Sequence, residues 1–167
     1  MSDRTNPMVE LFRAAIGGKL EGAPPVTQWL DGRIVSCNEG EMEVRFVTRP
    51  EMANPAGLLH GGMQAAIMDD VIGMTSATVE EGGFMLSIDL HVNYLGKIEA
   101  GQPVIARARI VRSGKRIAHA VCELMEEQGN VISRCDANLL RRPSNGRSSR
   151  TDERAPNDPR SHKRGRP

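Results

Sequence analysis

Aromatic side chains are nearly missing: three Phe, one Tyr and one Trp, or 3% of the 167 residues. A core must therefore be filled by Met, Leu, Val, Ile and Ala. No stretch approaches the roughly 18 consecutive apolar residues of a membrane-spanning helix, so none is expected. The N-terminal MSDRTNPMVELFRAA has no continuous hydrophobic region; no secretory signal is expected, and cytoplasm is the default location. Cysteine is also scarce. Cys37, Cys122 and Cys135 are odd in number and spaced neither as zinc ligands nor as a CxxC redox pair. No metal site is expected, and the three thiols read as small buried hydrophobes.

Charge is balanced overall at +1, but unevenly placed. From Arg141 the chain carries nine Lys and Arg against three Asp and Glu, while the preceding 140 residues are net −5. Residues 142–167 have no apolar periodicity and are rich in Arg, Ser, Pro and Asn, the composition of a segment that cannot fold alone. No aromatic interleaves the basic residues, so base stacking is excluded and a nucleic-acid partner is not expected. The division is an N-terminal helix and linker over 1–25, one domain over 26–141, and a disordered basic tail over 142–167.

Val9, Leu11, Phe12, Ala15 and Ile16 give a short amphipathic helix, ended by Gly17-Gly18, that either packs outside the domain or lids a pocket. Residues 19–26 read as a linker. TQWLDGRIVSCN, 27–38, reads as a first strand, bulged near Asp31-Gly32. Glu39-Gly40 is a hairpin turn into EMEVRFVT, whose Met42, Val44 and Phe46 face one way. Glu81-Gly82-Gly83 makes a turn, and 84–95 reads as a regular strand. Phe84, Leu86, Ile88, Leu90, Val92 and Tyr94 fall on its apolar face; Ser87, Asp89, His91 and Asn93 fall on the polar one. Three strands follow near 103–112, 115–127 and 130–141, joined by the short hairpin signals Ser113-Gly114 and Gln128-Gly129. Consecutive hairpins with one long helix between strands argue an α+β domain with an antiparallel sheet of about six strands.

That helix is the centre of the chain. Asn54-Pro55-Ala56-Gly57-Leu58-Leu59-His60-Gly61-Gly62 breaks regular structure, and Met63 to Glu80 then runs without proline. Gly62, Ala65, Ala66, Asp69, Gly73, Ser76 and Ala77 form a small-residue stripe, while Ile67, Met68, Val71, Ile72 and Met74 occupy the other sides. A helix apolar nearly all round is expected to be buried. Asp69 within it is either a hydrogen-bonded structural carboxylate or a catalytic group; Asp70 points elsewhere and reads as solvated. Free N–H groups at the helix start can hold an oxyanion, and glycine there admits a close carbonyl. Gly61 and Asp69 are eight residues apart, roughly 12 Å along a helix. Were both to serve one reaction, the second would have to come from another copy of the chain.

The pattern Asn54-x5-His60-Gly61-Gly62-x6-Asp69, with Ser87 on the following strand, resembles the signature of hotdog-fold acyl-CoA thioesterases. The nearest branch is the phenylacetate-pathway type within the 4-hydroxybenzoyl-CoA thioesterase superfamily. The resemblance covers about residues 20–140. It implies a long central helix wrapped by the sheet, and hydrolysis of an acyl- or aryl-CoA at a composite site between the subunits of a homodimer or homotetramer. In it the Gly61 N–H polarises the thioester carbonyl, Asp69 of the other subunit is base or nucleophile, and Asn54 positions water or carbonyl. Ser87 supports the water or Asp69, and His60 orients the loop. The resemblance implies no cofactor beyond the coenzyme A of the substrate, and self-association as the partner, with no membrane. Gly62, Asn93, Lys97, Arg112, Gly114, Lys115 and Arg116 are the candidate CoA contacts, the basic ones because Arg and Lys suit phosphate. Two other readings stay open: an acyl-thioester hydratase or dehydratase on the same fold, whose motifs match this one less well, and a non-catalytic acyl-CoA sensor, against which the intact Asn54, Asp69 and Ser87 argue.

Overall fold

Two short helices precede the sheet in the computed structural model, which describes residues 6–80 and 84–141. In α1 (Pro7–Ala14), Asn6 is the N-cap: its side chain accepts from the Met8 N–H at 2.9 Å. The same side chain donates to the carbonyls of Ala77 and Thr78, tying the start of α1 to the end of the central helix. Val9 and Phe12 of α1 are buried in the common core.

Residues 25–30 are helical, α2 (Pro25–Leu30), where the sequence reads as linker and strand. Proline suits the first position of a helix, because its missing N–H would have no partner there. The helix ends on Asp31, which takes the left-handed conformation (φ 55°). Gly32 follows, where a Cβ would come within 2.5 Å of the Phe46 ring. Only glycine permits that crossing, so the sheet begins after it, with β1 (Arg33–Asn38). The irregularity in β1 lies between Ile34 and Ser36, not at Asp31-Gly32.

The remaining strands are β2 (Glu41–Val47), β3 (Leu86–Tyr94), β4 (Pro103–Ser113), β5 (Ile117–Glu126) and β6 (Val131–Leu140). They form one antiparallel sheet in the order β1-β2-β4-β5-β6-β3. The expected turn at 81–83 and the basic tail at 142–167 lie outside the described residues.

The sheet curls over α3 (Gly61–Ala77), as the α+β reading expects. Met42, Val44 and Phe46 alternate inward from β2, and small residues line the middle strands: Ala106, Ala108, Ala118, Ala120 and Ala137 are all buried. Small side chains let the helix backbone lie close to the strands. Against them α3 presents Ile67, Met68, Val71 and Ile72, each fully enclosed. Burying side chains of this size contributes about 1.5–3 kcal/mol each. The three cysteines are buried and free, as expected, with Cys122 and Cys135 opposite each other across β5 and β6.

Two expectations about faces are corrected. The helix is not enclosed all round: Gly62 is exposed, and Ala65, Ala66, Asp69 and Gly73 are half-buried, because the sheet of one protomer covers only the opposite side. In β3 the alternation is broken by an irregularity between Ser87 and Asp89. One extra residue in a strand reverses the facing of everything before it. Ser87 therefore pairs with Leu139, while Leu90, Val92 and Tyr94 pair with Ala137, Cys135 and Ser133. Those four partners are buried toward the helix. Ser87 thus shares the helix-facing side with Leu90, Val92 and Tyr94, and Asp89, His91 and Asn93 face away.

Candidate active site

The loop before α3 is built from its own polar groups. Asn54 Oδ1 accepts from the Ala56 and Leu58 N–H groups at 2.9 and 3.1 Å, closing a tight turn with Gly57 in the left-handed region. Leu58 and Leu59 then tie the loop to residues 98 and 99 beyond β3. His60 is the N-cap of α3: its Nδ1 accepts from the Gly62 N–H at 2.9 Å. An accepting Nδ1 leaves the proton on Nε2, so the imidazole is neutral in this role. With Gly62 engaged, Gly61 is the first residue of α3, where a backbone N–H has no acceptor within the helix.

Tyr94, which the strand pattern places merely on an apolar face, is the neighbour of that glycine. Its hydroxyl donates to the Gly61 carbonyl at 3.1 Å, and its ring lies 3.1 Å from where a Gly61 Cβ would stand. The single tyrosine of the chain thus holds the first peptide of α3. No local signal marks it, since the contact joins residues 33 apart in sequence.

Two turns along α3, Asp69 Oδ1 accepts from Ser87 Oγ at 2.8 Å. The bulge in β3 makes this bond possible by turning Ser87 toward the helix. Asp69 therefore has a defined orientation at a half-open position. Asp70, expected to be solvated, is the more deeply placed of the two. It accepts from Thr27 Oγ1 of α2 at 2.6 Å, and its other oxygen is buried without a protein partner. Burial, more than the neighbouring Asp69 charge, raises its pKa above the ordinary 3.8.

Within one protomer the site residues fall into two groups. Asn54, His60, Gly61, Gly62 and Tyr94 gather at the N-terminal end of α3, with Lys97 just past β3. Asp69 and Ser87 lie at the other end of β3. There the β4–β5 hairpin tip carries Arg112, Gly114, Lys115 and Arg116, since Leu140 pairs with both Leu86 and Ile117. Arg141, read from sequence as the border of the tail, fixes this tip. Its guanidinium donates to the Gly114 carbonyl at 2.8 Å and also engages Ser113 Oγ and Glu80 at the end of α3. Asn93 joins neither group: it lies on the convex face, opposite Arg134. Among the described residues no His, Cys, Asp and Glu cluster could hold a metal, and no helix is long and apolar enough to cross a membrane.

Comparison with known proteins follows the same outline. Residues 56–133 match the family model of the thioesterase superfamily. A Homo sapiens protein, acyl-coenzyme A thioesterase 13, is 26% identical over 101 residues, 60% of this chain and 72% of its own. A putative esterase of Archaeoglobus fulgidus is 26% identical over 112 residues, 67% of this chain and 71% of its own. Among solved structures, a putative thioesterase of Ralstonia eutropha, described as a phenylacetic acid degradation-related protein, superposes with a TM-score of 0.69. It is 28% identical and is covered over 98% of its length, with 80% of this chain. A Streptococcus mutans protein solved with acetyl CoA shares the fold at a TM-score of 0.62 and 18% identity, over 66% of this chain and 87% of its own. The fold is the hotdog, a sheet wrapped on one long helix. Over residues 56–133, a little under half of its length, the chain is similar to the thioesterase superfamily.

Proposed function

We propose that the protein is an acyl-CoA thioesterase whose active site is completed between two copies of the chain. The observation that carries this reading is the Ser87–Asp69 hydrogen bond, set at the far end of α3 from the free N–H of Gly61. A thioester hydrolase needs an activated oxygen nucleophile and a donor for the carbonyl oxygen. One protomer holds both, roughly 12 Å apart along a rigid helix, and so cannot apply both to one carbonyl.

The free edge of β3 offers the solution. It is the last strand of the sheet, and Leu86, Ile88 and Tyr94 are exposed on it. An edge strand with apolar side chains invites pairing with another strand. Antiparallel pairing of β3 with its copy, about an axis between residues 90 and 91, sets the Ser87 end of one strand beside the Tyr94 end of the other. Asp69, Ser87 and the basic hairpin tip of one protomer then face Asn54, His60 and Gly61 of the partner subunit. The two half-sites become one, twice per dimer.

In this arrangement Asp69 either removes a proton from water, which attacks the carbonyl carbon, or attacks that carbon itself. The carbonyl oxygen becomes an oxyanion held by the Gly61 N–H, the C–S bond breaks, and the thiolate of coenzyme A leaves. In the first route it takes up the proton held by Asp69 and the acid is free. In the second it takes a proton from solvent, while water hydrolyses the Asp69 acyl anhydride to the acid and the carboxylate. Ser87 keeps the carboxylate aimed. His60 and Tyr94 fix the peptide that offers the N–H. The Asn54 carbonyl oxygen is already engaged by the loop, so its amide N–H2 is the group left to meet water or substrate. Arg112, Lys115 and Arg116 suit the phosphates of coenzyme A. The test is thiol release from a panel of CoA esters: Asp69→Asn should lose at least a hundredfold in kcat while remaining dimeric. Unchanged rates would remove the assignment. Reversing Arg112 and Arg116 to Glu should raise KM with little change in kcat.

A further inference from the structure

A cavity of about 580 Å³ opens between the two N-terminal helices and α3, and Asp69 and Ser87 stand in its wall. Its other lining is almost wholly apolar. Leu11 and Phe12 of α1 and Val26 of α2 form one side, and Met74 of α3 with Phe84 and Leu86 the other. Leu11 and Phe84 are half exposed at its mouth, 50% and 52%. Among its lining residues the only charged groups are carboxylates, those of Glu21, Asp69 and Asp70.

Gly73 marks the floor. It stands one turn beyond Asp69, on the same face of α3. A glycine inside a helix costs about 1 kcal/mol relative to alanine, so it calls for a reason. Backbone conformation gives none, because its φ is not positive, and neither does crowding: a Cβ built there meets nothing within 4 Å. What glycine keeps at this position is empty space beside the carboxylate.

We infer that this groove is the acyl subsite, and that it takes an uncharged, apolar acyl group running from Asp69 over Gly73 and under α1. The inference rests on the thioesterase reading and adds the substrate class. Continuity with the Asp69–Ser87 pair favours an acyl chain over a partner protein: the groove begins at the reacting carbon and is walled on both sides by one protomer. Apolar walls reward each methylene they cover. A lining whose only charges are negative disfavours an acyl group that ends in a carboxylate.

The test is kcat/KM on acetyl-, butanoyl-, hexanoyl-, octanoyl- and succinyl-CoA, with the full-length chain and its Gly73→Leu and Leu11→Asp variants. In the wild type, kcat/KM should rise about three- to fourfold per added methylene, and succinyl-CoA should fall below butanoyl-CoA. Gly73→Leu should lower the octanoyl-to-acetyl ratio at least tenfold by filling the floor. Leu11→Asp, at an exposed position that tolerates charge, should lower the same ratio from the other wall. A ratio unmoved in both variants, or a wild-type preference for succinyl-CoA, overturns the subsite and leaves the hydrolase standing. A change in oligomeric size in Gly73→Leu, with the ratio unmoved in Leu11→Asp, would make the groove a subunit contact and also overturn it. If no ester is hydrolysed, the enzymatic reading fails by itself. The thioethers S-methyl-CoA and S-octyl-CoA then decide the groove by calorimetry. The octyl compound should bind at least tenfold tighter to the wild type, with equal affinity contradicting the subsite.

Discussion

Two adjacent aspartates on α3 have opposite surroundings, and sequence patterning assigns them the wrong way round. Asp69 sits on the half-open stripe with a serine donor. Asp70 is pushed under α2, with one oxygen unpartnered. Its raised pKa means that folding favours the protonated acid. The folded state is therefore penalised above that raised value and recovers as pH falls through it. Asp70→Asn keeps an acceptor for Thr27 and removes the charge. It should melt higher than the wild type at about pH 8, with the difference closing as pH falls toward 3.8. A variant that melts lower at every pH would show that the carboxylate is stabilising. Tyr94 is the other residue whose place could not be read in advance. Tyr94→Phe removes only the bond to the Gly61 carbonyl, and should lower kcat severalfold with KM nearly unchanged, because it acts through the peptide it holds.

At the scale of elements, the strands were legible because a half-buried strand writes its facing at every second residue, and β2 does so without interruption. The central helix was legible from its length, its glycine start and the lack of proline. What was hidden depends on partners far along the chain. PVTQWL is helical because proline starts it and Asp31 with Gly32 ends it against Phe46; at only six residues it merges, as a string, with the strand that follows. The β3 bulge is equally silent in sequence, and it alone decides whether Ser87 meets Asp69. The motif spacing points to Asp69 and Ser87, and the bulge supplies the contact between them. Arg141 shows the same at the hairpin tip, where it joins β4, β6 and the end of α3. Arg141→Ala should destabilise the fold by about 1–3 kcal/mol in chemical unfolding, since Glu80 would be left half-buried and unpaired. A change under about 0.5 kcal/mol would mean the tip holds itself.

At the scale of the whole molecule, one protomer is a sheet with an unfinished edge and a helix with an uncovered face. Leu86 and Ile88 lie on that edge, 46% and 54% exposed. Replacing both with Lys should give monomers by light scattering and abolish thiol release together. Loss of assembly with full activity would show that one protomer suffices. The division of the site between two chains is the central claim, and mixing two inactive proteins tests it most directly. Gly61→Pro removes the donor N–H at a helix position whose backbone suits proline, while its Cβ crowds the Tyr94 ring of the same half-site, and Asp69→Asn removes the carboxylate. Each variant alone should be inactive. Co-refolded in equal amounts, half of the dimers would be mixed and carry one intact site, so about a quarter of wild-type activity should return. If no activity returns although mixed dimers form, both groups act within a single chain and the composite site is wrong.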